Sequence, residues 1–168
     1  MRNKKKIALI TGATSGIGES TSIELASQFS LILCGRNQYK LKELSENLKD
    51  KTDVITLNFD VRDQQDVKEK IGSLDSSWKN IDVLVNNAGN AHGLDLFHEG
   101  KIEDWDMMID TNVKGLLYVS KSVLNYMIEN NKGHIINIGS IAGKEVYQKG
   151  NIYCASKFAV DAISQGMR

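Results

Sequence analysis

The chain has 168 residues, the size of one domain, and its 21 Lys+Arg balance its 21 Asp+Glu, which argues against a nucleic-acid partner. The one dense basic block, Arg2-Asn3-Lys4-Lys5-Lys6, reads as a solvated lead-in to a first strand: the apolar run after it ends at Thr11-Gly12, too short for a signal-peptide core or a membrane span. Two cysteines, Cys34 and Cys154, make no disulfide framework and no Cys/His cluster has zinc spacing, so the expected compartment is the cytoplasm and no metal site is expected.

Short apolar runs then alternate with amphipathic ones. The pattern predicts a strand at Ile7–Ile10, a helix over Ile17–Phe29 and a strand at Leu31–Cys34. Lys40–Leu48 follows as a helix, with Leu41, Leu44 and Leu48 on one stripe, then a strand at Val54–Leu57. Asp66–Leu74 is predicted helical and Ile81–Val85 a strand. Glu103–Ile128 reads as a long helix broken near Asn112, Ile135–Ile138 as a fifth strand and Asn151–Met167 as a last helix. Such alternation predicts an α/β fold, a doubly wound parallel sheet in the order 3-2-1-4-5, forming one domain over 1–168. Ligands of such sheets bind beyond the carboxyl ends of the strands.

Thr11-Gly12-Ala13-Thr14-Ser15-Gly16-Ile17-Gly18 follows the first strand and opens the first helix. Glycines here let the backbone approach a pyrophosphate, and free N–H groups at the helix start favour its charge. The second strand ends Cys34-Gly35-Arg36-Asn37, without the carboxylate that binds an NAD ribose 2′-hydroxyl. Arg36 could pair with a 2′-phosphate instead, helped by Thr14 or Ser15, so NADP is preferred over NAD. Asp60-Val61 follows the third strand, where the aspartate could accept from an adenine amino group or simply cap a turn. Asn86-Asn87-Ala88-Gly89 after the fourth strand could line the adenosine ribose and brace the sheet.

Tyr153 and Lys157 stand four residues apart, one above the other on a helix face. A nearby ammonium favours phenolate, so the lysine is expected to lower the tyrosine's pKa and fit it for proton transfer to an alcohol or ketone.

Together, Thr11–Gly18 with its G-x-x-x-G-x-G spacing, Asp60, Asn86–Gly89, Asn112, Ser140, Tyr153 and Lys157 resemble the short-chain dehydrogenase/reductase family along essentially the whole chain. The phrases Trp78–Asp82, Glu103–Trp105, Met108–Asn112 and Gly133–Ser140 resemble its NADP-dependent 3-hydroxy acid dehydrogenases, a subgroup that also oxidises serine and allo-threonine. The resemblance implies an oxidoreductase passing a hydride between NADP and the hydroxyl-bearing carbon of a small substrate. It makes Tyr153 the general acid/base and has Lys157 tune it while holding the nicotinamide ribose. It gives Ser140 the substrate oxygen, and gives the Asn112 backbone a water that links Lys157 to solvent. Gly12, Thr14, Ser15, Gly16, Ile17, Gly18, Arg36, Asp60, Val61, Asn87, Ala88 and Gly89, with Tyr153 and Lys157 themselves, are the implied cofactor contacts. A 3-oxoacyl thioester is the alternative substrate, and a homodimer or homotetramer the implied assembly.

His92, His98 and His134 show no ligand spacing, Cys154 is expected to pack, and Trp105 to lie under the Asn90–Gly100 loop. Met107, Met108 and Met127 are expected to pack rather than line a pocket. Lys144, Glu145, Tyr147 and Gln148 could touch a substrate. Family members run to about 250 residues, a length one α/β domain reaches. The resemblance therefore implies a C-terminally shortened chain without the last two strands, its fifth strand left as an edge. A dinucleotide-binding fragment without turnover is the other class of function.

Overall fold

The computed structural model describes residues 5–168. Five strands, β1 (Lys6–Thr11), β2 (Phe29–Gly35), β3 (Val54–Asn58), β4 (Ile81–Asn86) and β5 (His134–Asn137), form one sheet in the order β3-β2-β1-β4-β5. Every neighbouring pair is parallel. This is the doubly wound order the alternation predicts, and it reverses direction at β1, where the strand ends open a crevice.

Side chains alternate across each strand, so one sheet feeds two cores. Ile7, Leu9, Ile32 and Leu84 pack on one face with Val67 and Ile71 of α3 (Gln64–Gly72) and with Val119 and Val123 of α5 (Leu116–Glu129). Ala8, Ile10, Leu31 and Leu33 pack on the other with Ala26, after α1 (Gly16–Leu25), and with Leu41, Leu44 and Leu48 of α2 (Gln38–Leu48). Leu9, Ile10, Leu31, Ile32 and Leu33 are wholly buried, and each such side chain contributes about 1.5–3 kcal/mol. Asn37 caps α2 by accepting from the Lys40 N–H, and Asp63 caps α3 by accepting from those of Gln65 and Asp66.

Most boundaries shift by a residue or two, β5 for example running His134–Asn137 and leaving Ile138 beyond it; the larger differences lie elsewhere. The first helix ends at Leu25, and Phe29 opens β2, paired with Lys6. The apolar spacing over Ile17–Phe29 therefore joins two elements that meet at a turn, closed by the Gln28 N–H on the Leu25 carbonyl. Leu74 is buried but lies beyond α3. Lys5 is no solvated lead-in, because its ammonium donates to the Ala26 and Lys51 carbonyls at 2.9 Å each, while Arg2, Asn3 and Lys4 lie outside the described residues.

The expected break near Asn112 is a π-turn, Asp110–Gly115, joining α4 (Ile102–Ile109) to α5 without interrupting the helical path. The last helix, α6 (Asn151–Gly166), packs against α4 and the π-turn. β5 is an edge strand, with Ile136 40% exposed. Among the described residues no helix is long and apolar enough to cross a membrane.

Candidate functional site

The carboxyl ends of the strands open into a cleft of about 940 Å³, ample for a dinucleotide. Gly12, Thr14, Ser15, Ile17, Arg36, Asp60, Val61, Asn87, Ala88, Gly89, Tyr153 and Lys157 all line it. Of the candidate site residues, Gly16, Gly18, Asn112 and Ser140 do not, and Asn86 is buried away from it, donating to Ser120 and Asn137.

The floor of the cleft is the β1–α1 turn. Gly12 and Gly16 adopt φ of +63° and +53°, a region L side chains avoid. Gly18 presses against the Gly12 carbonyl and the Asn87 amide so closely that a Cβ would collide with both. Asn87 Nδ2 donates to the Thr11 carbonyl at 2.9 Å and to that of Gly12 at 3.2 Å. Thr11 Oγ1 in turn accepts the N–H groups of Asn87 and Ala88 at 3.1 and 3.0 Å. The Asn-Asn-Ala-Gly loop thus braces β4 to the turn. Thr11 is the buried keystone of that brace, a role its sequence position does not announce. Ser15, the N-cap of α1, makes no side-chain cap bond, which leaves the helix's first N–H groups facing the cleft without that partner. Glycines that admit close backbone approach, together with a ten-residue helix starting at the cleft, fit a bound pyrophosphate.

At one end of the cleft the Thr14 side chain leans on Gly35, beside Arg36, whose side chain is 67% exposed. Arg36 Nη1 lies 3.7 Å from Asp60 Oδ2. Asp60 falls two residues beyond the end of β3, and Arg62, unremarked in the sequence, grips it through Nε at 3.0 and 3.1 Å and Nη2 at 2.7 Å. Burial pushes the Asp60 carboxyl up, but the Arg62 hydrogen bonds and charge outweigh it and hold the group below its ordinary range.

At the other end stand Tyr153 and Lys157 on α6. Lys157 is 8% exposed, and its ammonium donates to the Ile138 carbonyl at 2.8 Å, 6.0 Å from the centre of the Tyr153 ring. Burial alone lowers its pKa from the ordinary 10.5. A Cβ on Gly89 would lie 3.8 Å from Nζ, so the ammonium sits against the β4 loop as well. Asn112 is buried beneath: its side chain holds Asn90 through both backbone groups and reaches Ser156 Oγ at 3.0 Å. Asn90 Nδ2 bonds Thr111 Oγ1 at 3.0 Å, and both residues line the cleft. Ser140 turns its oxygen to accept the Ala142 N–H at 3.1 Å.

A second hollow of about 360 Å³ shares Ala91 and Tyr153 with the cleft and continues past His92, Asp95, Lys101, Asp104, Tyr147 and Lys149. Trp105 and Met108 also line it, so Met108 both packs at 2% exposure and faces a pocket. Trp105 lies against Phe97 of the preceding loop, as expected, with ring centres 5.0 Å apart. Of the four candidate substrate contacts only Tyr147 lines this hollow; Lys144 instead pairs with Asp161 at 2.8 Å. Cys154 is buried at 1% exposure, in keeping with packing. His134 opens β5 and His98 sits in a short 3₁₀ turn, Phe97–Glu99. Among the described residues no group of three or more His, Cys, Asp or Glu is placed to hold a metal ion.

Known proteins resemble this chain over nearly its whole length. The NADP-dependent 3-hydroxy acid dehydrogenase YdfG of Escherichia coli strain K12 is 46% identical over 163 residues, covering 96% of this chain and 65% of that protein. The chain thus spans a little under two thirds of the length of that relative. A crystal structure of serine dehydrogenase from Escherichia coli superposes with a TM-score of 0.91 at 45% identity, covering 96% of this chain and 74% of that one. The closed form of serine dehydrogenase complexed with NADP+ gives 0.91 at 46% identity, covering 96% and 65%. The family profile for short chain dehydrogenases matches residues 6–168, and the chain belongs to that family.

Proposed function

We propose that this chain forms the dinucleotide-binding and catalytic part of an NADP-dependent oxidoreductase acting on the hydroxyl-bearing carbon of a small 3-hydroxy acid or serine-like substrate. The observation that carries this reading is one continuous cleft with Arg36 at one end, the Gly12 turn in the middle and the Tyr153–Lys157 pair at the other. The names of the similar proteins, a 3-hydroxy acid dehydrogenase and a serine dehydrogenase, support the substrate class.

Arg36, with Thr14 and Ser15, would hold the 2′-phosphate, and Asp60 and Val61 would face the adenine. Asn87, Ala88 and Gly89 would line the ribose, with Gly12, Gly16, Ile17 and Gly18 shaping the pyrophosphate seat. When bound, NADP supplies or accepts the hydride. Tyr153 gives its phenolic proton to the substrate oxygen in reduction and takes it back in oxidation. Lys157, fixed by the Ile138 carbonyl, keeps its ammonium beside the Tyr153 ring, where it would also hold the nicotinamide ribose. The Ser140 oxygen accepts from Ala142, which leaves its own proton free to steady the substrate oxygen. Asn112 orders the π-turn, whose backbone would hold a water on the path from Lys157 to solvent. Leu117 and Phe158, each about 40% exposed on α5 and α6, suit a homodimer or homotetramer built on those helices.

A second reading, dinucleotide binding without turnover, is favoured by Ser140, which stands outside the cleft lining. Mixing the chain with NADP+ and L-serine or 3-hydroxypropionate, and following NADPH, separates the two. Turnover supports the oxidoreductase. Tight NADP+ binding with no turnover supports the second reading. Activity only in the reverse direction, on a 3-oxoacyl thioester, would move the substrate class.

A further inference from the structure

At the Arg36 end of the cleft one carboxylate stands between two arginines. Arg62 brings three N–H donors to Asp60: Nε, Nη2 and its own backbone N–H at 3.0 Å. A carboxylate offers about four lone-pair sites, so Arg62 leaves roughly one for any other donor. Arg36 stays 3.7 Å away, beyond hydrogen-bond distance. Arg62 is itself pinned from the far side. Its Nη1 meets the Met107 sulfur at 2.9 Å, and Asp110, paired with Lys114 at 2.8 Å, adds attraction from the π-turn.

This arrangement resolves a conflict in the cleft. A 2′-phosphate on Arg36 would meet the negative charge of Asp60 a few ångströms away. Asp60 would also compete with it for the Arg36 guanidinium. We propose that Arg62 is a cofactor-specificity residue that acts through Asp60: it saturates and neutralises the carboxylate, and so keeps Arg36 available to a 2′-phosphate. The inference rests on the reading that Arg36 binds that phosphate. Without Arg62, Asp60 draws Arg36 into a forked pair of its own, and the site changes from net positive to neutral. An adenosine lacking the 2′-phosphate does not use Arg36 in this way, so its binding is spared.

Calorimetric titration of NADP+ and NAD+ into the wild-type chain, Arg36→Gln, Arg62→Gln and the double variant Asp60→Asn/Arg62→Gln tests this, with circular dichroism to verify the fold of each. Arg62→Gln is expected to weaken NADP+ by about tenfold, the worth of one charge-assisted hydrogen bond, while NAD+ changes by less than about threefold. Adding Asp60→Asn removes the competing charge and restores the NADP+ preference, an outcome that a merely structural role for Arg62 does not produce. The inference is overturned if Arg62→Gln weakens both dinucleotides equally, if it leaves their ratio unchanged, or if the double variant fails to recover the ratio. A preference lost in Arg36→Gln but kept in Arg62→Gln sinks the inference alone. A wild-type chain with no NADP+ preference, or one kept in Arg36→Gln, removes the reading of Arg36 and the inference with it.

Discussion

Asn112 holds Asn90 by both of its backbone groups. Oδ1 accepts the Asn90 N–H at 2.8 Å, and Nδ2 donates to the Asn90 carbonyl at 2.9 Å. With the further bond to Ser156, one side chain ties the π-turn to the β4 loop and to α6, the helix that carries Tyr153. Asn112→Ala removes three hydrogen bonds and strands buried polar groups, so it is expected to cost about 2–4 kcal/mol. Urea unfolding of the two proteins measures this, and a loss under about 0.5 kcal/mol, typical of an unimportant surface change, would contradict the clamp.

The β1–α1 turn contains two glycines whose replacement should fail for different reasons. At Gly16 a Cβ would meet nothing within 4 Å, and the penalty is the positive φ alone, about 1–2 kcal/mol. At Gly18 a Cβ would run into the Gly12 carbonyl and the Asn87 amide, forcing the turn to shift at a cost of about 1–3 kcal/mol. Gly18→Ala should therefore also disturb the turn that seats the dinucleotide. Unfolding midpoints and NADP+ titrations on both variants check this. Unaltered stability and binding in Gly18→Ala would refute the close packing.

Burial lowers the Lys157 pKa below 10.5, and this makes stability depend on pH with a definite sign. Between the folded and unfolded pKa values the unfolded lysine binds more protons than the folded one. Stability therefore rises with pH through that window, by at most about 1.4 kcal/mol per unit. Below the folded pKa the penalty of the buried charge is fully present, and above the unfolded pKa it is gone. The stability of wild type relative to Lys157→Met should thus climb as pH rises from neutral towards 10.5. Paired urea melts across that range read the difference directly, and a flat or falling difference would show that the ammonium is not desolvated.

The strand order, the turn at Gly12–Gly18 and the cleft-facing positions of Arg36, Asp60, Tyr153 and Lys157 follow from local pattern, because period and glycine spacing are properties of neighbouring residues. Phe29 is not placed by local pattern, because an apolar residue at helical spacing looks the same whether it ends a helix or starts a strand; only its pairing with Lys6 decides. The disturbance at Asn112 was legible as a poor helix former, but its form as a π-turn depends on contacts to Asn90 and Ser156, 22 and 44 residues away in the chain. Arg62 gave no signal, since an arginine two residues past an aspartate is ordinary until the chain bends it back. Thr11 as a brace for Asn87, and the Ile138 carbonyl as the seat of Lys157, are tertiary facts of the same kind.

The account turns on Tyr153 as the proton-transfer group, and Tyr153→Phe isolates it, because the ring and its packing remain while the hydroxyl is lost. NADP+ is titrated into both proteins, and NADPH formation with L-serine is followed in each. NADP+ affinity is expected to change by less than about threefold, while turnover falls by at least about a hundredfold, the lower range of general acid–base catalysis. Near-normal turnover in Tyr153→Phe would contradict it.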